Sequence, residues 1–514
     1  MFFKNLFSHQ VESAPLMVLY GTKSGNSKTV AEELAKQLHR QNIEHRVSNI
    51  SKFKPQQLKD VEGALLVVST HDDGEPPVKA RKFYRQLQAA DMPGLEQLQF
   101  AVCALGDSSY DSFCEAGKTL EKLLKELGAK EMLTRKDCDE EFAQPAVEWI
   151  KEVLTRLKKG EELTDEIELE SSKWYNGTLK QREVLSVDAE NNSTYHLEID
   201  CPEAAGNYKS GDLLDVIPEN PADLVLALCE KLETPQLAAA FATEKEITRV
   251  NRQLIKAYTE ATLNESLAEL LTQNEALNTY LKNANVLDLL NDFPAEISGE
   301  ELLSLLPPIR IRQFSISSVP NAETPIGLMV KTVRFQFNGK KHLGAVSSWL
   351  NEISTPGSPI RFRLAANPDF YLPPDRNTPI LMIAAGTGVA PFRAFMNEME
   401  QQHFPANAWL LWGEQLHHHE NRYYSEFSSI SQQHANFLFE AVESRNPQKP
   451  MYVQDLLLKK HHEVSAFIEH GAHVYVCGSK AMGEGVEKAL QQIFPDSAAW
   501  EIFKSSGRYH WSCY

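Results

Sequence analysis

Two stretches of this chain alternate apolar strand-like runs with amphipathic helical patterns, and that alternation restricts the fold more than any other feature. Over residues 16–155 the runs "LMVLY", "EHRVSNI", "GALLVVS", "QFAVCALG" and "EMLTR" alternate with helical patterns at about 27–41, 78–89, 114–128 and 144–157. Short apolar strands joined through helices form a parallel sheet covered on both faces. From Thr378 the pattern returns: "PILMIAAG", "AWLLWG", "NFLFEAV" and "HVYVCG" are each followed by a helix, which predicts a second doubly wound sheet. The middle has another texture. From Lys173, "KWYNGTLKQREVLS", "TYHLEIDCP", "GDLLDVIP", "IRQFSIS", "IGLMVKTVRFQF" and "SPIRFRL" alternate with period two, as in an antiparallel barrel. Within it, about 220–306 is rich in Leu, Ala and Glu at helical spacing and reads as a helical insertion. The charged run "RLKKGEELTDEIELESS" (156–172) reads as a solvated linker.

The 514 residues exceed what one core organises and predict roughly two to four domains. The formal net charge of −18 argues against a nucleic-acid surface and suits a basic protein partner. Seven cysteines, an odd number without a C-x-x-C pair, read as reduced thiols of a cytoplasmic chain. No apolar run is long enough to predict a membrane span or anchor. The opening "MFFKNLFSHQ" lacks a cleavage site; it reads as a ragged start or a small docking segment rather than a signal peptide.

The first strand hands over to its helix through "GTKSGNSK", where Thr22, Ser24, Asn26 and Ser27 surround Gly21 and Gly25. Hydroxyls and free N–H groups at a helix start suit a phosphate. Neither G-x-G-x-x-G nor Gly-Lys-Ser/Thr is present, so the loop reads as a monophosphate cradle or as a Ser/Thr-rich capped turn. "STHDDGEPP" (69–77) and "ALGDSSYDSFCEAGK" (104–118) follow the third and fourth strands and fall at the same sheet edge, offering the rings of His71 and Tyr110. Asp72, Asp73, Glu75, Asp107 and Asp111 make an acidic rim able to steer a basic partner.

These three loops resemble a flavodoxin-type FMN domain. The resemblance implies that Thr22, Ser24, Gly25, Asn26 and Ser27 face the FMN phosphate, that Thr70, His71, Asp107 and Tyr110 face the flavin ring, and that Gly106 is a further cofactor-binding residue. Further on, Arg312, Phe314 and Ser315 of "RQFSIS" offer a cation, a flat ring and a hydrogen bond, and "GAVSSWL" (344–350) offers a second cradle. In this order they resemble the FAD-binding barrel of the ferredoxin–NADP reductase superfamily, which implies FAD contacts from Arg312, Phe314, Ser315, Gly344, Val346 and Ser347. "LMIAAGTGVAPFRAF" (381–395) ends a buried strand in Gly386, Thr387 and Gly388 and opens a helix with Pro391. It is similar to the NADP-binding motif of the same superfamily.

From the residues alone Cys477 reads as a core cysteine; the resemblance instead places it beside the nicotinamide. It also assigns Ser444, Arg445, Tyr452 and Gln454 to the 2′-phosphate of NADPH, and Tyr514 to the aromatic cover of the FAD ring. Where that family has a lysine two places before the tyrosine, this chain has Pro450; where it has an aspartate two places before the last aromatic, this chain has Ser512. His417–His419 and His461–His462 match no zinc spacing and read as surface loops; no metal site and no G-x-S-x-G are predicted.

The whole order resembles the diflavin reductases, and most nearly the flavoprotein (alpha) subunit of bacterial NADPH–sulfite reductases, whose N-terminal extension is largely missing here. The implied fold is α/β multidomain: a flavodoxin-like domain (15–155), a linker (156–172), an antiparallel FAD-binding barrel with a helical insertion (173–372) and a Rossmann-like NADP(H)-binding domain (373–514). The implied function is electron transfer from NADPH to FAD to FMN to a protein partner, with Ser315, Cys477 and Tyr514 at the reacting ring. The expected partner is a sirohaem and iron–sulfur sulfite reductase subunit; another one-electron acceptor or a non-catalytic flavin-binding module are the alternatives.

Overall fold

The computed structural model describes residues 16–22, 25–71, 74–77, 80–106, 112–139, 142–158, 167, 169, 173–188, 191–309, 311–332, 334–337, 340–343, 345–415 and 421–514. The chain divides into two compact units, Met1–Ser172 and Lys173–Tyr514.

The first unit holds a sheet of β1 (Leu16–Gly21), β2 (His45–Asn49), β3 (Gly63–Ser69), β4 (Gln99–Leu105), β5 (Lys130–Glu131) and β6 (Lys136–Cys138). Its order is β2-β1-β3-β4, with β5 and β6 both on β4, and every pairing is parallel. Successive side chains of a strand point to opposite faces, so a strand buried on both sides must be apolar at every position. Val18, Leu65 and Val67 pack under the helices Asn26–Arg40 and Ala143–Leu157, against Val30, Leu34 and Trp149. Leu19, Leu66 and Val68 face the other way, onto Phe83, Leu120 and Leu124. One expected strand is corrected: "EMLTR" is not continuous. The strand breaks after Glu131, and Arg135 is drawn to the carboxylates of Asp137 and Glu121 before pairing resumes at Lys136.

The second unit begins with β7 (Trp174–Val187), β8 (Ser193–Asp200), β9 (Leu213–Val216), β10 (Arg312–Ser315), β11 (Ile326–Lys331), β12 (Arg334–Phe337), β13 (Lys340–Leu343) and β14 (Pro359–Ala365). Six of them form an antiparallel sheet in the order β10-β9-β14-β7-β8-β11, and an Ile316–Leu328 bridge joins its two edges. The predicted strand "IGLMVKTVRFQF" divides in two, because β12 leaves the sheet to pair with β13. Between β9 and β10 the chain runs through helices from Ala222 to Leu305. Asn251, Asn264, Asn285 and Ser298 each accept a backbone N–H at a helix start there, satisfying donors the helix cannot.

The last sheet contains β15 (Ile380–Ala385), β16 (Ala408–Glu414), β17 (Phe437–Glu443), β18 (His473–Gly478) and β19 (Tyr509–Cys513), parallel throughout in the order β17-β16-β15-β18-β19. The strand β19 was absent from the sequence reading. His461 and His462 are exposed as expected, but they open the helix His461–Glu469 rather than sit in a loop.

A buried polar network ties the barrel to the last sheet. His196 Nδ1 lies 2.8 Å from the Tyr423 hydroxyl, which donates to Ser317 Oγ at 3.0 Å, while Arg393 donates to the Ser317 carbonyl at 3.1 Å. Arg393 also holds Glu426 at 2.9 Å. Left unpaired, such groups would cost more than they contribute when paired, so the network fixes one seating of the two layers. All seven cysteines are free and buried, and no helix among the described residues is long and apolar enough to cross a membrane.

Candidate functional site

Strand order reverses between β2-β1 and β3-β4, so the C-terminal ends of β1 and β3 flank a switch point, where open parallel sheets take ligands. The chain leaves β1 at Gly21 and turns into the helix at Gly25, whose φ of 89° is left-handed and favours glycine. Thr22 Oγ1 accepts the Gly25 N–H at 2.9 Å and braces the turn. Asn26 is the first helical residue, and no side chain caps the helix start. The next residue, Ser27, is fully buried, and its Oγ has no hydrogen-bond partner among the described residues. A buried hydroxyl without a partner is costly, and here it sits beside uncapped N–H donors. That donor set fits a phosphate.

The neighbouring loops reach the same edge. Thr70 donates its N–H to Leu105 at 2.8 Å and takes the Ala116 N–H on Oγ1 at 3.1 Å, so its hydroxyl ties this loop to the first turn of the helix Glu115–Glu126. His71 and Glu75 form a bridge closed by Gly74, which has φ 101°. Gly106 donates to the Cys138 carbonyl at 2.9 Å, and a Cβ on it would come within 2.8 Å of Cys114 N. Ser24, Asp72, Asp73, Asp107, Tyr110 and Asp111 lie outside the described residues.

On the barrel, Arg312, Phe314 and Ser315 are half-buried along β10, in register with Val216, Leu214 and Leu213. Arg312 lies 3.8 Å from Glu246, a carboxylate that the helical insertion buries. Phe314 packs on the barrel core that contains Val346, and Ser347 is buried on the same short helix. Arg312 keeps 30% of its side chain exposed, which suits a diphosphate. Gly344 lies outside the described residues. Ser210, which sequence reasoning missed, has a buried Oγ without a partner among the described residues, just before β9.

The third region is a cavity of about 460 Å³. It gathers the predicted Gly386, Thr387, Ser444, Arg445, Tyr452, Gln454 and Tyr514 along one wall system. They come from the loop after β15, the loop after β17, the start of the helix Val453–Lys459 and the residue after β19. Gly386 has φ 55° and nothing within 4 Å of a built Cβ, so its outer side is open. Gly388 differs: a Cβ there would lie 2.1 Å from the Cys477 carbonyl, so this glycine lets two strand ends meet. Cys477 is buried, and in register with Ala384 on one side and Ser512 on the other. The Tyr514 hydroxyl hydrogen-bonds Thr387 Oγ1, and its main chain is held by Gly478 O at 3.0 Å and Lys480 N at 2.9 Å. Hydroxyls, an arginine and an open glycine loop fit a dinucleotide with an extra phosphate.

Lys331 and Glu414 are among the lining residues that sequence reasoning missed. Lys331 reaches in from β11, with Nζ 2.9 Å from Asp188. Glu414 ends β16, and withdrawal from water pushes its carboxyl up to about 7. The available signal for Glu414 was its place at the end of the second strand of a βαβ unit.

With a parallel sheet of flavodoxin order, an antiparallel barrel and a parallel sheet bearing a glycine-loop cavity, the chain is a flavoprotein oxidoreductase in class. Residues 18–154 match the flavodoxin family and residues 382–488 the oxidoreductase NAD-binding domain family. Three similar proteins are each named sulfite reductase (NADPH) flavoprotein alpha-component. The one from Bacillus subtilis is 33% identical, over 94% of this chain and 84% of its own length. Those from Mannheimia succiniciproducens and Vibrio cholerae are 30% and 31% identical, over 94% and 93% of this chain and 86% and 82% of their own lengths. The chain belongs to the family of sulfite reductase (NADPH) flavoprotein alpha-components.

Proposed function

We propose that this chain is an NADPH-dependent diflavin reductase that passes electrons from NADPH through FAD and FMN to a protein partner, the haemoprotein subunit of an assimilatory sulfite reductase in the cytoplasm. The observation that carries this reading is the joining of two sites in one chain. One is a cavity with an arginine and an open glycine loop; the other is a hydroxyl-bearing helix start at the switch point of a flavodoxin-order sheet. When bound, the two flavins supply the conversion of a two-electron donor into one-electron deliveries.

The chain's own residues supply placement. Ser444 and Arg445 read the 2′-phosphate, with Tyr452 and Gln454 beside them. Gly386 and Thr387 approach the diphosphate of the coenzyme. Cys477 and Ser315 would stand at the nicotinamide and flavin rings, and Tyr514 would be the aromatic residue against the flavin. Arg312 and Ser347 hold the FAD diphosphate, and Phe314 and Val346 wall its ring. Thr22, Gly25, Asn26 and Ser27 hold FMN phosphate, with Thr70, His71 and Gly106 shaping the ring side. In this reading residues 15–155 are the FMN domain and 156–172 a tether. The FAD domain then spans 173–372 and the coenzyme domain 373–514.

The test is purification of the full chain with both flavins, followed by NADPH-driven cytochrome c reduction and by sulfide formation on adding a sulfite reductase haemoprotein. Colourless protein that takes up neither flavin rejects the reading. Cytochrome c reduction without sulfide leaves the reductase and replaces the partner.

A further inference from the structure

Glu414 is a carboxyl in a cavity built for a polyanion. It shares that cavity with Thr387 on the glycine loop and with Ser444 and Arg445 after β17. Ser444 donates both its N–H, at 2.8 Å, and its hydroxyl, at 3.2 Å, to the Glu414 carbonyl, so the acid and the phosphate-binding loop are one hydrogen-bonded piece. The charged and titratable groups around it come from every neighbouring element. Lys331 stands on β11, engaged by Asp188 from the end of β7. Glu443 is in direct register with Glu414 on β17, and Arg445 follows it. Tyr452 and Tyr514 complete the wall. Lys331 and the Gln415 N–H, which donates to the Glu414 carboxylate at 3.3 Å, both favour the charged form, but burial outweighs them. The carboxyl therefore titrates at about 7.

We propose that Glu414 makes coenzyme binding proton-linked: as a neutral acid it accepts the coenzyme's phosphates, and as a carboxylate it opposes them. The inference rests on the coenzyme reading of this cavity given above. Its sign is fixed by linkage. The bound polyanion favours the protonated carboxyl, so above neutrality binding takes up a proton and weakens as pH rises. The coenzyme's own 2′-phosphate works the other way, gaining charge as pH rises through about 6. A comparison with Glu414→Gln separates the two.

The experiment titrates NADP+ into the full-length chain by calorimetry at pH 6, 7 and 8, in two buffers of different ionisation enthalpy. The expected result is uptake of close to one proton at pH 8 by the natural chain and none attributable to the side chain in Glu414→Gln. The ratio of the two dissociation constants should rise roughly tenfold from pH 6 to pH 8. Infrared difference spectra of the natural chain at pH 8 should gain a protonated-carboxyl band on adding NADP+, a readout that does not depend on the variant folding. Glu443→Gln should leave the proton uptake in place. Equal uptake in the natural chain and Glu414→Gln, or binding without the carboxyl band, overturns the inference and leaves the coenzyme site standing. Absence of NADP+ binding at every pH overturns both.

Discussion

The loops after β1 and after β15 occupy the same topological place, between the first strand of a parallel sheet and its helix, yet they are made of different material. After β1 the chain offers hydroxyls: Thr22 braces the turn and Ser27 presents a buried oxygen with no partner among the described residues. After β15 it offers glycines, one open to the cavity and one pressed against the next strand. The first loop depends on donors and leaves room for change. The second depends on close backbone approach, so its sequence is dictated by β18 as much as by any ligand.

That contrast can be broken most directly at the glycines. Gly388→Ala places a methyl 2.1 Å from a strand carbonyl, and should cost about 3 kcal/mol or more and abolish NADP+ binding. Gly386→Ala meets nothing within 4 Å and should cost only about 1 kcal/mol for its left-handed backbone. Denaturant melts of the two variants check this, and equal losses would refute the distinction. Next, Arg445→Ala should weaken NADPH by about 2 kcal/mol while leaving NADH nearly unchanged, measured as the ratio of dissociation constants. Equal losses for both coenzymes would remove the 2′-phosphate role.

Ser27→Ala sharpens the other side. Removing an unsatisfied buried hydroxyl should stabilise the flavin-free first unit by about 1 kcal/mol and weaken FMN by a similar amount. Opposite signs in the two measurements mark a ligand-facing group; two losses would mark a structural one.

The smallest effect concerns pH. His196 and His473 are half-buried or deeper, and both titrate below the ordinary imidazole range, chiefly because burial disfavours the charged ring. The unfolded chain takes protons first, so the second unit should lose stability as pH falls from about 6.5 toward the lower folded values. Melting temperatures of the natural chain and His196→Gln at pH 5.5 and 7.5 check it: the variant should lose less on acidification.

Much of this was legible in sequence because local pattern and fold agree. Val18-Leu19 and Leu65-Leu66 are apolar on consecutive positions, and only a strand covered on both faces demands that. The glycine loop after β15 announces itself through Gly386, Gly388 and Pro391, whose backbone needs are specific to type. What escaped reading depends on partners far along the chain. Tyr509–Cys513 is a strand only because β18 lies beside it. The run 326–337 carries no Pro, Asn or Asp to mark a turn, and its division follows from β12 finding β13. Glu414 reads as one acid among 70 until the fold closes a cavity around it. The close approach of Gly388 to the Cys477 carbonyl, which the motif does not announce, is a further demand on that glycine.

One consequence follows from how the chain runs past β18. Tyr514 donates its N–H to Gly478 and receives that of Lys480 on its carbonyl, while the residue as a whole stays exposed. The backbone beneath that ring is clamped on both sides, so the aromatic plane swings on its own torsions, like a shutter on a fixed hinge. Turning that ring therefore needs no peeling of the strand: it breaks the hydrogen bond to Thr387 and changes a rotamer, the class of motion that exposed side chains make in picoseconds to nanoseconds.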